Sequence, residues 1–369
     1  MDRPAPVFIS SDVFRSVGYR PNHPLAIPRV STVVELCRIL GWFSDGAYVD
    51  SPRATAEDLA RFHDPAYIAA VKRADATGKV DAEACRRHRL GTAENPAFKG
   101  MLERAATACG GSIEAARRVL GGGVAYNPAG GTHHGRPDRA SGFCFFNDPV
   151  LGILAFLDGG LGRVFYADLD AHHGDGVQDA FADDPRVFTV SIHEARRWPH
   201  TGVVGDRGGG RARNLPVPRG FNDSELDYLM GCAVLPLAER FEPDAVFITC
   251  GADCLAGDPL ARLELSNVAV WRAVGQLSGL APRTVVVGGG GYNPWTVARL
   301  WAGVWGVLNG FEIPDRLPDE ASALLRVLEC DLVDDDEIEE AWLTTLADAP
   351  RPGPVRPEIK ALPAAVLAP

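Results

Sequence analysis

The sequence predicts a parallel α/β fold, in which helices cover a central sheet on both faces. Its apolar strand-like runs are continuous rather than alternating, helical segments separate them, and glycine or acidic residues end them. Continuous apolar strands are typical of a sheet buried on both faces, and strand–helix alternation is typical of doubly wound sheets. The predicted strands are PVFIS (6–10), GVAY (123–126), RVFYADLD (163–170), RVFTVSIH (186–193), DAVFITCGAD (244–253) and RTVVVGGGGY (283–292).

Three segments outside these strands carry a helical pattern. In the last of them, Asn293 and Pro294 are the residue types expected at an N-cap and at a first helical position. The predicted helices are FKGMLERAATACGGSIEAARRVL (98–120), SELDYLMGCAVLPLAERF (224–241) and NPWTVARLWAGVWGVL (293–308).

The pattern changes after residue 310. There an acidic helical segment, DEASALLRVLECDLVDDDEIEEAWL, precedes the proline-rich stretch APRPGPVRP. We therefore expect one catalytic domain over 1–310 and a C-terminal extension over 311–369 that packs on it, rather than a second catalytic domain.

Composition and charge exclude several classes of protein. The net charge is −11, whereas nucleic-acid-binding proteins normally carry a basic surface. The sequence has no apolar run long enough to cross a membrane, and its start lacks the pattern of a signal peptide, so we expect a cytoplasmic protein. The eight cysteines form no C-x-x-C pair, which argues against a disulfide framework or a structural zinc knuckle.

The segment ADLDAHHGDGV (167–177) is dense in metal-ligating residue types. In an extended chain, residues two apart share a face, so Asp168, Asp170 and His172 can converge. Carboxylate and imidazole ligands together suit a divalent metal of borderline softness. Two glycines that follow let the chain turn tightly enough to bring Asp175 back towards the same place. The alternative is a polar loop with capped helix ends, which would have to produce this order of residues by chance.

A catalytic metal normally takes three protein ligands and leaves one position open. The third ligand should therefore come from a neighbouring strand end. Asp253, in GADCLAGDP, is the first candidate because it follows the buried run AVFITC, and Asp258 is the second. The alternative function for Asp253 is a helix N-cap.

Two further segments carry groups suited to proton transfer and to stabilising an oxyanion. The adjacent His133 and His134 in AGGTHHG indicate general acid–base groups, and each imidazole needs a carboxylate that fixes its tautomer. Asp168 and Asp175 are available for that purpose. The run VVVGGGGYNP matches no phosphate-binding motif, so we interpret its glycines as a turn that presents the Tyr292 hydroxyl to an oxyanion.

In this order, the four segments resemble the histone deacetylase superfamily of zinc-dependent amidohydrolases, which shares its fold with arginases. The resemblance runs from about Gly18 to Asn309, and the C-terminal tail is similar to that of the bacterial acetoin-utilization type, closest to class I deacetylases. It implies a single-domain, three-layer α/β fold with a mainly parallel, eight-stranded sheet flanked by helices. Its most specific segments are GGTHHGRPDRASGFCFFND (130–148), YADLDAHHGDGVQ (166–178), GADCLAGDP (251–259) and GGGGY (288–292).

The resemblance also implies a role for each site residue. The ligands of a zinc or ferrous ion would be Asp170, His172 and Asp253. Acid–base chemistry would be carried out by His133 and His134, with Asp168 and Asp175 as their respective partners, and Tyr292 would polarise the carbonyl.

The resemblance further implies an acyl-lysine tunnel whose walls and rim are formed by Gly142, Phe143, Trp198 and Leu260. It also implies a structural potassium or sodium ion bound by Asp168, Asp170, His172, Ser191 and Ile192.

Two positions depart from the family pattern. Many eukaryotic members grip the substrate backbone with an aspartate at the tunnel mouth, where GTAENPAFKG (91–100) offers only Glu94 as a loose substitute. Trp198 is bulkier than the phenylalanine usual at its position and would narrow the tunnel. The nearby His200 is interpreted as a loop residue.

The implied activity is metal-dependent hydrolysis of the acetyl amide of lysine side chains on proteins, an acyl-CoA synthetase being one substrate expected in the family. The first alternative is an amidohydrolase for acetylpolyamines or other small acylated amines. A catalytically silent acetyl-lysine binding protein is the second, but it would have no need of His133, His134 and Tyr292. An arginase-like enzyme would need more carboxylates to bridge two metal ions. The sequence leaves the oligomeric state open.

Overall fold

The protein is described by a computed structural model over residues 4–368, and within that range eight strands form a single sheet. The strands are β1 (Val7–Ser10), β2 (Tyr48–Asp50), β3 (Gly123–Asn127), β4 (Val164–Asp168), β5 (Val187–Glu194), β6 (Ala212–Val217), β7 (Ala245–Thr249) and β8 (Arg283–Val287). Their order across the sheet is β2-β1-β3-β8-β7-β4-β5-β6, and every neighbouring pair is parallel. The predicted parallel α/β sheet is thus confirmed.

The two strands that the apolar pattern does not predict are β2 and β6, the edges of the sheet. The sequence of β2 is only three residues long, and β6 reads ARNLPV, with polar residues and a proline. An edge strand tolerates Pro216 because the ladder on its open side needs no backbone N–H donor. Edge position, rather than apolar sequence, therefore accounts for these two strands.

Helices lie on both faces of the sheet. Along β4, Val164 and Tyr166 belong to one hydrophobic core, whereas Phe165 and Ala167 belong to the other. The helices are α1 (Val13–Ser16), α2 (Arg29–Ile39), α3 (Ala56–Ala60), α4 (Pro65–Thr77), α5 (Ala82–His88), α6 (Met101–Arg118), α7 (Asp148–Asp158), α8 (Asp175–Ala180), α9 (Asp223–Leu229), α10 (Leu235–Phe241), α11 (Asn267–Ser278), α12 (Pro294–Asn309), α13 (Asp319–Arg326), α14 (Glu340–Thr344) and α15 (Pro357–Leu367).

The long helices differ from the predictions at one place. The α12 helix begins as predicted, since the side chain of Asn293 accepts hydrogen bonds from the backbone N–H of Trp295 and Thr296 at 3.1 and 3.3 Å. The segment predicted as one helix over 224–241 instead contains a π-helical turn, Met230–Val234, between α9 and α10. Pro236 at the start of α10 has no N–H to donate, so the regular helical ladder is interrupted there.

The eight cysteines are free throughout the part of the chain that the structure describes, and Cys250 and Cys254 are buried. The argument from sequence against a disulfide framework agrees with this. Over residues 4–368 no helix has both the length and the apolar character to cross a membrane. The expectation that the start of the sequence is not a signal peptide rests in part on residues 1–3, which lie outside the described residues.

The residues after 310 pack against the same core as α12. Leu325, Trp342 and Ile359 are buried in it. The Arg356 guanidinium donates to both carboxylate oxygens of the fully buried Glu225, at 2.7 and 2.6 Å. The division into a domain over 1–310 and an extension over 311–369 stays a prediction.

We expect Arg356→Ala to lower the free energy of unfolding by roughly 3 kcal/mol, because the buried carboxylate of Glu225 would lose its cationic partner. Denaturant unfolding monitored by circular dichroism measures the change. The matched control is Arg272→Ala, whose ion pair with Asp227 is exposed on both sides and should contribute less than about 1 kcal/mol. Equal losses in the two variants would contradict the prediction.

Candidate active site

The candidate site lies at the carboxyl ends of three adjacent strands, β8, β7 and β4. Asp168 is the last residue of β4, Asp253 follows β7, and Tyr292 follows β8. In parallel α/β sheets, ligands bind beyond this edge because the loops there converge. Sheet order therefore brings together three segments that are far apart in sequence.

Asp170, His172 and Asp253 form a buried cluster that could hold a metal ion. One ligand atom from each residue lies within 4.8 Å of the other two. The Nδ1 atom of His172 is 2.9 Å from Asp253 Oδ2 and 3.3 Å from Asp170 Oδ1. Two carboxylates and an imidazole leave coordination positions open for a further ligand, which is the arrangement of catalytic rather than structural metal sites.

Glycines let the backbone approach these carboxylates. A Cβ atom at Gly251 or Gly290 would overlap a carboxylate oxygen of the cluster. The backbone N–H of Gly290 donates to Asp170 Oδ2 at 2.6 Å, and that of Ala171 donates to Asp253 Oδ1 at 3.0 Å. The glycine run thus serves close approach to the cluster in addition to the predicted turn before Tyr292.

His133 is oriented by a buried carboxylate. Its Nδ1 atom lies 2.8 Å from Asp168 Oδ2, which also accepts a hydrogen bond from the Tyr166 hydroxyl at 2.6 Å. Burial alone would lower the pKa of His133, but the carboxylates of Asp168 and Asp170 outweigh it and raise that pKa to about 9. Asp168 therefore faces the histidine and not the metal cluster, although the two-residue spacing permitted either.

His134 has the opposite electrostatic environment. Its Nδ1 atom lies 2.7 Å from Asp175 Oδ1, and Arg136 forms an ion pair with the other oxygen of that carboxylate. Burial and the positive charge of His133 lower the pKa of His134 to about 3. The two adjacent imidazoles could therefore serve as one proton acceptor and one proton donor.

Tyr292 lies in a buried position where its hydroxyl stays protonated. Burial and the charges of Asp253 and Asp170 raise the pKa of Tyr292 well above its usual value. Its backbone N–H donates to Asp258 Oδ2 at 2.8 Å. Asp258, the second candidate for third ligand, is thus outside the metal cluster and instead positions the segment that carries the phenol.

A cavity of about 1190 Å³ opens from this site to the surface. Its inner walls include Phe143 and Trp198, and the Trp198 ring packs edge-on at 4.6 Å from the His134 ring. Gly142 has a φ of +55°, and a Cβ atom there would overlap Trp198. The lining also contains Leu260, so the structure brings all four predicted tunnel residues to one cavity.

Glu94 and His200 line the cavity, whereas His193 on β5 lies away from it. Glu94 lines the mouth, where its Oε1 atom accepts from the Gly142 N–H at 2.6 Å. His200 is an exposed residue of the mouth. His193 bonds with Ser191 and Gly202 and does not join the metal cluster.

Arg29 is the site residue that sequence reasoning missed. It is half-buried, and its Nη1 atom donates to the carbonyl of Gly289 at 2.7 Å while the guanidinium lies over the Trp301 ring at 5.1 Å. A single arginine at the start of a helix carries no local signal of such a position. Only the packing of α2 against the glycine-rich turn reveals it.

The proposed monovalent-ion site draws on the same strands. The β4–β5 register places Ser191 beside Asp168, and Ile192 follows it on β5. The assignment of Asp168, Asp170, His172, Ser191 and Ile192 to a bound ion stays a prediction.

Comparison with known proteins agrees with this geometry. The profile of the Histone deacetylase domain matches residues 23–308. The chain is 36% identical over 329 residues to acetoin utilization protein AcuC of Bacillus subtilis, an alignment that covers 85% of this chain and 84% of that protein. It is 35% identical over 299 residues to histone deacetylase 8 of Danio rerio, with 79% of each chain covered.

Two solved structures share the fold over nearly the whole chain. An HDAC homolog from Aquifex aeolicus superposes with a TM-score of 0.94 at 35% identity and covers 99% of this chain and 100% of its own. An HDAC homolog complexed with SAHA superposes with a TM-score of 0.93 at 34% identity and the same coverage. The chain therefore belongs to the histone deacetylase family of metal-dependent deacetylases.

Proposed function

We propose that the protein hydrolyses the acetyl amide of acetylated lysine side chains on other proteins. The observation that carries this proposal is the cavity itself, in which His172 of the metal cluster, His134 and Tyr292 lie behind walls that include Phe143 and Trp198. A metal ligand, an acid–base group and a phenol therefore face the same cavity. Metal-assisted hydrolysis of an amide uses groups of these three kinds.

The cluster of Asp170, His172 and Asp253 fits a divalent ion, because its donors are mixed oxygen and nitrogen and its backbone is shaped around the carboxylates. We propose zinc, with ferrous iron also compatible with this donor set. When bound, such an ion supplies Lewis-acid polarisation of the acyl carbonyl and makes water a better nucleophile. A potassium or sodium ion at the β4–β5 strand ends is proposed as structural support.

The side chains around the cluster account for the proton transfers. His134, neutral and oriented by Asp175, accepts the proton of the attacking water at Nε2. His133, whose protonated form is stabilised by Asp168, donates a proton to the leaving amine. The Tyr292 hydroxyl donates a hydrogen bond to the oxyanion of the tetrahedral intermediate.

The apolar inner walls favour an acylated amine over a free one. Acetylation neutralises the ammonium group, so the side chain can enter between Phe143 and Trp198 without the cost of burying a charge. A protein such as an acyl-CoA synthetase is the substrate type proposed. Acetylpolyamines and other small acylated amines remain the alternative, and a location in the cytoplasm without nucleic-acid or membrane partners stays a prediction of the sequence.

We expect Tyr292→Phe to retain bound metal and to lose about 100-fold or more in kcat on an acetyl-lysine peptide, since one donor to the oxyanion is lost. Steady-state kinetics together with metal analysis of the same preparation measure both quantities. Turnover at the wild-type rate would show that Tyr292 has no part in the reaction.

Asp170→Ala should remove the metal, because the remaining two side chains do not complete a three-ligand site. Elemental analysis after dialysis tests this directly. Asp179→Ala is the matched control, an exposed aspartate on α8 whose loss should leave the metal content unchanged. Stoichiometric zinc in Asp170→Ala would refute the ligand assignment.

Glu94 is proposed to anchor the substrate backbone at the mouth of the cavity. We expect Glu94→Ala to raise KM for an acetyl-lysine peptide by about tenfold, since a hydrogen bond to a charged group contributes roughly 1.5–3 kcal/mol. An N-acetyl alkylamine, which has no peptide backbone, reports whether the tunnel itself is intact. Equal increases of KM for both substrates would mean that Glu94 only supports Gly142.

A further inference from the structure

The cavity continues beyond the part that would hold an acetylated side chain. At about 1190 Å³ it exceeds the roughly 300–1,000 Å³ of typical small-molecule sites. Its outer part, here called the side groove, lies between the ends of β5 and β6, the loop after β7 and the start of α15. The side groove is lined by Ala195, Arg196, Pro216, Pro218, Arg219, Arg262 and Glu358.

The guanidinium of one arginine beside the side groove is held by contacts within the protein. Arg197 donates from Nε and Nη2 to the two carboxylate oxygens of the buried Glu194, at 2.5 and 2.7 Å, and from Nη1 to the carbonyl of Leu260 at 2.6 Å. The charges of Arg197 and Glu194 therefore neutralise each other. Neither is available to a ligand.

The other arginines of the side groove are not neutralised in this way. Arg196 and Arg219 are exposed, and among residues 4–368 neither guanidinium has a carboxylate within ion-pair distance. The Arg262 guanidinium donates to backbone carbonyls of its own loop, and the Arg262 backbone N–H donates to Glu194 Oε2 at 2.8 Å. The backbone of Arg219 is held by a hydrogen bond of 2.8 Å from Arg356 to its carbonyl.

Three carboxylates besides Glu194 face or border this region. Glu94 lies at the tunnel mouth, where it is occupied in part by the Gly142 N–H, and Glu358 lies on α15 at the far wall. Glu264 lies close to Gly220, at the outer margin. None of them forms an ion pair with Arg196 or Arg219 within the described part of the chain. The side groove thus offers two free guanidinium groups in a protein whose net charge is −11.

We propose, on the basis of the function proposed above, that the side groove binds an acidic side chain that flanks the acetyl-lysine of the substrate. A guanidinium group presents paired N–H donors that match the two oxygens of a carboxylate. The same positive groups repel a polyammonium chain, which separates protein substrates in an acidic context from acetylpolyamines. The class of substrate is therefore an acetyl-lysine with aspartate or glutamate close by in the sequence.

The test compares three acetyl-lysine peptides of equal length that carry glutamate, glutamine or lysine at the positions on both sides of the acetyl-lysine. We expect kcat/KM to fall in that order, with about tenfold between the first and the last at low salt, and the difference to shrink at high salt because exposed charges are screened. The difference should lie in KM. An acetylspermidine should be hydrolysed more slowly than the glutamate peptide.

The double variant Arg196→Glu, Arg219→Glu should reverse the preference and favour the lysine peptide. Arg118→Ala, an exposed arginine on α6 outside the cavity, should leave the preference unchanged. Equal rates for the three peptides, unaffected by the double variant, would overturn this inference alone. Hydrolysis of an N-acetyl alkylamine or acetylspermidine with none of the peptides hydrolysed would overturn the proposed function and this inference together.

Discussion

The arrangement of the loops in this structure depends on two carboxylates that are buried beside one imidazole. Asp170 and Asp253 are almost fully inaccessible, and burial together with the neighbouring charge of Asp170 raises the pKa of Asp253. Adjacent buried anions are costly unless a cation or several donors offset them. The backbone N–H groups of Gly290 and Ala171 supply part of that compensation, and a divalent ion would supply the remainder.

This constraint explains why three loops must meet closely. The order β8-β7-β4 makes the carboxyl ends of these strands neighbours, and glycines at 251 and 290 remove the side chains that would keep the loops apart. The same approach places His133 against Asp168 and Tyr292 against Asp258. Hydrogen bonds at the strand ends therefore position the groups that we propose to be catalytic, and dense packing around them restricts their movement.

The cavity divides into two regions with different chemistry. Near the cluster, Phe143 and Trp198 form apolar walls suited to a neutral acylated side chain. Farther out, the lining is mainly charged. The C-terminal residues contribute to that part through Glu358, which lines it, and through Arg356, which donates a hydrogen bond to the Arg219 carbonyl. The C-terminal residues thus contribute to the outer rim of the cavity, where we propose that selection among substrates takes place.

The sequence by itself determined the type of fold, most of the strands and the identity of the clustered groups. Apolar runs that end in aspartate or glycine place reactive side chains at one edge of a parallel sheet, and this follows from local pattern alone. It did not determine the edge strands β2 and β6, because these are short or polar and owe their existence to pairing with a neighbour. Residue type did not separate Asp253 from Asp258 as the third ligand, and the sequence ranked Asp253 first only because it lies nearer to the strand.

Tertiary structure decided the contacts that no local pattern indicates. Asp168 lies against His133, a pairing that the family resemblance implied and that residue spacing left open. Arg29 reaches the glycine-rich turn from a distant helix, and Arg197 is neutralised while Arg196 is free. These outcomes depend on distances between segments that are far apart along the chain. Local sequence specifies the direction and chemistry of a side chain, but the packing of helices and loops around the sheet sets what lies opposite it.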